Sequence, residues 1–209
     1  MEVELKYRIP DEDTADWIWS DEELGRMIEE DSWSVDRYYG SYYDTRDMIL
    51  SKHDITFRLR HEGDFVVACL KWNGTGEGAL QRREELNITL GTEMPEEADP
   101  SVFSQHEVGK WIIDAIGDEK LIPMIDVSVL RKSMRVDTGS SILEISIDQG
   151  KVTAGGRDVP ISEVEIELYQ GNEEDLMEIG NRISGKYGLE PETESKFARG
   201  LKLLDTVNN

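Results

Sequence analysis

A charged row along one face of almost every strand-like segment constrains this chain more than any other feature. Residues 2–9 read EVELKYRI, so Glu2, Glu4, Lys6 and Arg8 share one face, and Val3, Leu5, Tyr7 and Ile9 share the other. The pattern recurs. Arg58 and Arg60 align with Thr56 and oppose Phe57 and Leu59; Lys71 aligns with Cys69 and Val67. Arg83 and Glu85 oppose Leu86 and Ile88, and Arg131 and Arg135 share a face. Glu144 and Asp148 oppose Leu143, Ile145 and Ile147; Glu163, Glu165 and Glu167 oppose Val164, Ile166 and Leu168.

A half-buried strand normally turns a chemically mixed face to water. Seven strands with rows of carboxylates or cations instead suggest that the rows converge. Period-two alternation gives eight strand candidates: 2–9, 38–45, 55–62, 65–72, 82–90, 126–137, 142–148 and 161–169. Gly63-Asp64 and Asp137-Thr138-Gly139 read as hairpin turns, so the sheet should be mainly antiparallel. Eight strands can close into a barrel around a small ligand. With the charged rows inside, the apolar rows point outward and need helices to cover them. Helical spacing predicts those helices over 12–30, 101–116, 173–187 and 195–206, with Gly188 as a C-cap. The expected fold is α+β and β-rich: an eight-stranded antiparallel barrel with a polar, charged interior and helices outside. Residues 1–209 read as a single domain. The stretch 91–100 reads as a connector, and 72–80 (WNGTGEGAL) as a mobile hairpin loop.

The chemistry of such an interior is specific. Carboxylates without His or Cys partners suit hard cations such as Mg²⁺ or Mn²⁺. Clustered Lys and Arg suit phosphate oxygens. Together they describe a metal-assisted phosphoryl-transfer site. His53, His61 and His106 are not spaced as ligands, and the single cysteine, Cys69, excludes an internal disulfide or a cysteine-based zinc site. One cysteine and no visible signal peptide point to the cytoplasm. No apolar run is long enough to span a membrane. With 45 acidic against 23 basic residues the net charge is −22, which argues against coating nucleic acid or an anionic membrane.

The motifs fall in a familiar order. Glu2-x-Glu4-x-Lys6 resembles the ExExK opening of the CYTH superfamily, the triphosphate tunnel metalloenzymes. Tyr42-Tyr43-Asp44-Thr45, Phe57-Arg58-Leu59-Arg60, Cys69-Leu70-Lys71, the Arg83/Glu85 pair and Arg131 resemble that family's successive strand motifs. Glu144 and Asp148, Glu165-Ile166-Glu167, and Ser195-Lys196 with Arg199-Gly200 complete the resemblance over nearly the whole chain. It is most like the bacterial branch that hydrolyses inorganic triphosphate. One departure is Cys69, where the family often has Thr.

The resemblance implies an enzyme: a divalent-metal-dependent triphosphatase with a small triphosphate-containing substrate and two sites for Mg²⁺ or Mn²⁺. It implies Glu2, Glu4, Asp148, Glu165 and Glu167 as metal carboxylates. Lys6, Arg58, Arg60, Lys71, Arg83, Arg131 and Lys196 would cradle phosphate, and Glu85 and Glu144 would hold those cations or a water. Lys6, Glu4, Asp148 and Glu167 are the candidate catalytic groups, Lys6 either as a cation or as a general base with a lowered pKa. Adenylate cyclase, thiamine triphosphatase and a non-catalytic polyphosphate- or nucleotide-binding module are the alternatives. The seven cradle cations match seven interior carboxylates, so the interior is near neutral and the surplus negative charge lies outside it. Two divalent cations would bring the interior to about +4, on the order of the charge on triphosphate.

Overall fold

The computed structural model describes residues 1–205. Eight antiparallel strands form one closed barrel: β1 (Glu2–Arg8), β2 (Ser34–Asp44), β3 (Thr56–Glu62), β4 (Phe65–Glu77), β5 (Leu80–Gly91), β6 (Ile122–Asp137), β7 (Ile142–Ala154) and β8 (Arg157–Gln170). Their order is β5-β4-β3-β2-β6-β7-β8-β1, and a β5–β1 pairing closes the ring. A two-residue strand, β9 (Glu190–Pro191), adds to β1 beside Tyr7 and Arg8. All eight expected strands are present, most of them longer than their alternation alone indicates.

The register sends the charged rows to one face. Glu4 lies opposite Glu167, and Lys6 opposite Glu165. Arg131 lies opposite Asp148, and Lys71 opposite Glu85. Because side chains alternate along each paired stretch, these pairings fix which residues face inward, with register shifts at Tyr42/Tyr43, Val66/Val67, Trp72/Thr75 and Ile142/Leu143. The apolar rows face outward under two groups of helices. α1 (Glu12–Trp19), α2 (Glu22–Gly25) and α5 (Glu173–Tyr187) cover Leu5, Ile145 and Ile166 with Ile18, Leu24, Leu176 and Ile183. α3 (Ile49–Lys52), a 3₁₀ turn over Pro100–Phe103 and α4 (Glu107–Ile116) cover Phe57, Leu59 and Leu70 with Leu50, Phe103 and Ile112. Each such fully buried side chain contributes about 1.5–3 kcal/mol.

The last helix, α6 (Lys196–Asp205), packs differently. Phe197, Leu201 and Leu204 meet Tyr42, Ile125, Val127, Val152 and Ala154, which by register share the inward face with Arg58 and Asp148. Apolar contacts therefore fill one end of the inward face and leave the charged part at the other. Gly200 permits the approach, since a Cβ there would lie 2.4 Å from Ile125 Cγ2. Residue 206, the expected end of this helix, lies outside the described residues.

Three expectations are corrected. The helix expected over 101–116 is split into the Pro100–Phe103 turn and α4, which starts only at Glu107 after His106. Residues 72–77 continue β4 instead of forming a loop. The ladder slips register between Trp72 and Thr75, Asn73 takes a left-handed φ of 53°, and the Gly74 amide donates to Asp54 Oδ2 at 3.1 Å. A bulge absorbs the irregular sequence while pairing resumes beyond it. The helix expected over 12–30 breaks after Trp19, because Asp21 takes the amides of Glu23 and Leu24 and starts a new turn. Among the described residues no helix is long and apolar enough to cross a membrane.

Candidate active site

The inward rows enclose a polar cavity of about 320 Å³. Of the fourteen residues singled out from the sequence, thirteen line it; Asp148 lies fully buried just behind. The cavity is not uniformly mixed. Its charges are sorted into a paired floor and an unpaired remainder.

The floor is a closed ion-pair network. Asp148, Glu163 and Glu165 bring carboxylate oxygens within 4.8 Å of one another. Lys196 Nζ, at the start of α6, reaches all three, at 2.7, 2.5 and 2.9 Å. Arg131 donates through Nε and Nη2 to the two Asp148 oxygens at 2.7 and 2.6 Å, and through Nη2 to Glu165 at 2.6 Å. Arg199 pairs with Glu163. Burial alone would raise the Asp148 and Glu165 carboxyls. The adjacent cations outweigh it, holding Asp148 below the usual carboxylate range and Glu165 well below. This trio already has its cations.

Lys6 belongs to the same layer, 3.1 Å from Glu4 and 3.3 Å from Glu165. Burial would lower its pKa, but Glu4, Glu165 and Glu163 raise it above the ordinary lysine range. With these carboxylates beside it, Lys6 favours its protonated, cationic form. Nearer β5, Lys71 contacts both oxygens of Glu2 at 2.7 Å and Glu85 at 3.2 Å. Glu85 also accepts from Asn87 at 2.7 Å and is held low, against burial, by Lys71 and these hydrogen bonds. Cys69 Sγ lies 3.4 Å from Glu85, and burial pushes the thiol up, so it stays protonated.

Two kinds of group are left over. Glu167 has no side-chain partner among the described residues, and burial beside Glu2, Glu85 and Glu4 pushes its pKa to about 8. Burial also raises Glu2, with Glu4 and Glu85 adding to the effect against Lys71. Glu2, Glu4 and Glu167 thus form a carboxylate patch short of positive charge. Conversely, Arg58 is half-buried and has no carboxylate partner among the described residues: it donates to Tyr42 Oη at 3.5 Å, and its buried Nε has no partner. Arg83 has no ion pair among the described residues either. Arg60 is held by Glu62, while Glu144 faces Arg135 at 3.5 Å near the exposed ring of Tyr169. Arg8 is 59% exposed and pairs with Glu192, outside the cavity network.

The sequence reading did not single out Glu163, Tyr38 or Glu62 as site residues. Glu163 has the parity of Glu165 and Glu167, so its signal was available. Tyr38 lies under two guanidiniums, Arg60 at 5.5 Å and Arg131 at 5.4 Å from the ring centroid. Nothing in a YYGSYY run announces that contact.

A closed antiparallel barrel with an ionic interior defines a charged-tunnel β-barrel. The CYTH domain family matches residues 1–201, and the chain belongs to it. It is 30% identical over 164 residues to the inorganic triphosphatase of Haemophilus influenzae, a match taking in 78% of this chain. The same match covers 45% of that protein, so the chain spans less than half the length of this curated relative. Among solved structures, an adenylyl cyclase candidate from Hippeastrum described as having a dominant triphosphatase activity superposes with a TM-score of 0.67 at 16% identity, over 97% of this chain and 96% of that one. An adenylate cyclase candidate from Bacillus halodurans gives 0.58 at 21% identity, over 95% and 96%. Protein PH1819 of Pyrococcus horikoshii gives 0.57 at 20%, over 97% and 99%. At these identities the structural likeness concerns the fold alone.

Proposed function

We propose that residues 1–209 act as one catalytic domain, a divalent-metal-dependent triphosphatase that cleaves a phosphoanhydride bond of inorganic triphosphate, and that it works in the cytoplasm. The observation that carries this reading is the pair of unmet charges in one cavity. The half-buried Arg58 guanidinium, with its buried Nε unpartnered, has no carboxylate partner among the described residues, and a carboxylate patch at Glu2, Glu4 and Glu167 faces too few cations. A metal–triphosphate complex supplies both complements at once. The Haemophilus influenzae relative, an inorganic triphosphatase, supports the choice of substrate.

The donor set fits a hard cation: three carboxylates, no sulfur and no imidazole. Glu2, Glu4 and Glu167 would hold Mg²⁺ or Mn²⁺, with Asp148 and Glu165 the candidates for a second ion if Arg131 and Lys196 move onto phosphate. When bound, the metal would neutralise phosphate oxygens and lower the pKa of a coordinated water.

The chain's own residues supply the rest. Arg58, Arg60, Lys71, Arg83, Arg131 and Lys196 bind non-bridging oxygens and hold the phosphates in line. Lys6 stays protonated and adds a cation beside Glu4. Water adds to a terminal phosphorus, the bridging P–O bond breaks, and orthophosphate and pyrophosphate leave. The charge that shifts onto the leaving pyrophosphate is met by the cations of the cavity wall. Glu85 and Glu144 keep Lys71 and Arg135 in place.

The test is phosphate release from inorganic triphosphate, ATP and thiamine triphosphate with Mg²⁺, Mn²⁺ or EDTA. Inorganic triphosphate should turn over fastest, and EDTA should abolish release. Binding without phosphate release under every metal would leave a binding module instead.

A further inference from the structure

Among the cations proposed to hold phosphate, Arg60 has the most exchangeable partner. Its Nε and Nη2 both point at one oxygen of Glu62, at 3.1 and 2.8 Å. Those two donors form the fork face with which a guanidinium grips a phosphoryl group. Neighbouring pairs cannot give way so easily. The carboxylates on Arg131, Lys196 and Lys71 are 0 to 14% exposed, so parting them from their cations leaves a charge in a dry site. The Glu62 side chain is 40% exposed. It ends β3 at the cavity rim, just before the Gly63 turn, and it can rehydrate as it leaves. Arg58, two residues earlier on the same face, has no such carboxylate. Arg60 also has a second hold. The Tyr38 ring, 5.5 Å from its guanidinium, keeps it in the cavity when Glu62 lets go.

We propose that Glu62 is an internal competitor for the phosphate site: its carboxylate takes the donors of Arg60 that a substrate phosphoryl group also needs, so substrate binds by displacing it. The inference rests on the triphosphatase reading and makes Glu62 a determinant of substrate affinity. Its sign is unusual. A group that merely supports the wall weakens binding when removed, whereas a competitor strengthens it.

The experiment is steady-state hydrolysis of inorganic triphosphate with Mg²⁺ by the full chain, comparing wild type, Glu62→Gln, Glu62→Ser, Arg60→Gln and the Arg60→Gln/Glu62→Gln double variant. Both Glu62 variants should lower KM by about two- to five-fold, the range for a partly exposed ion pair, with little change in kcat. In the Arg60→Gln background the Glu62 change should leave KM where it was. An unchanged or raised KM in both Glu62 variants overturns the proposal. So does an equal fall in KM in the Arg60→Gln background, which would mark a general effect of removing negative charge. Absence of turnover by wild type overturns the triphosphatase reading and this inference with it, whereas wild-type turnover with the wrong Glu62 response overturns this inference alone.

Discussion

Replacing Glu167 by Gln should stabilise the chain at alkaline pH in EDTA while destroying its response to metal. The carboxyl is raised from 4.5 to about 8 by burial and by the neighbouring Glu2, Glu85 and Glu4. Below pH 4.5 the group is neutral in both folded and unfolded chains and has no effect on stability. Between 4.5 and 8 the unfolded chain has released the proton and the folded chain has kept it, so the folded state binds more protons and loses stability as pH rises. At about 1.4 kcal/mol per pH unit the full loss is on the order of 5 kcal/mol. Partial hydration and relaxation of Glu2 reduce it, and about 2–3 kcal/mol is the expected effect. The glutamine amide of the Glu167→Gln variant mimics the neutral acid and removes the loss. Urea denaturation in EDTA should therefore give similar stabilities for the two proteins at about pH 5 and a more stable variant at about pH 9. Adding Mg²⁺ at the alkaline pH should reverse the order, since metal at a hundred times its Kd adds about 2.7 kcal/mol to wild type alone. A variant less stable than wild type under the alkaline EDTA condition, or one with the same pH slope, would refute the reasoning.

Arg58→Met removes a half-buried cation with no carboxylate partner among the described residues, so thermal stability should hold or rise, while kcat/KM for triphosphate falls by about ten- to a hundred-fold, the range for a charge-assisted hydrogen bond. Lys196→Met leaves Asp148, Glu163 and Glu165 with Arg131, Arg199 and, at Glu165, Lys6 against them; urea denaturation at about pH 8 should show about 3–5 kcal/mol of lost stability, recovered in part at acid pH as the carboxyls take up protons. Glu4→Gln should abolish metal-dependent phosphate release yet leave the circular dichroism spectrum unchanged, and full activity in that variant would sink the metal assignment. Gly200→Val should cost about 1–3 kcal/mol by driving a methyl into Ile125, measured as a lower Tm.

How much of this was legible in the sequence depends on the range of the interaction. Parity is local, and a barrel converts it into a global fact: Glu2, Lys6, Arg58, Lys71, Asp148 and Glu165 meet because alternation leaves each of them on the inward face. Closure was legible for the same reason, since inward charges and outward hydrophobics suit a barrel wrapped in helices. What parity could not supply was partner choice. Nothing in Arg58 and Arg60, two residues apart on one face, says that Glu62 holds one and no carboxylate holds the other. Tyr38 is equally opaque, because its two guanidinium neighbours come from strands on either side of its own. The bulge at Asn73 was misread as a loop because a broken alternation looks the same whether pairing stops or slips.

Partner choice also resolves the net charge. A cavity with equal numbers of cations and carboxylates would hold neither a bare metal nor a bare triphosphate strongly if every charge were paired with its neighbour. Here the pairing is incomplete. Asp148, Glu163 and Glu165 absorb Lys196, Arg131 and Arg199, and among the described residues Arg58 and Arg83 have no carboxylate ion pair on one side and Glu167 has no ion pair on another. Bringing in the anion alone would add charge beside Glu2, Glu4 and Glu167; bringing in the metal alone would add charge beside Lys6 and Lys71. Each ligand lowers the cost of the other, so the sorting of charges inside the barrel, rather than the −22 of the whole chain, decides what the cavity accepts.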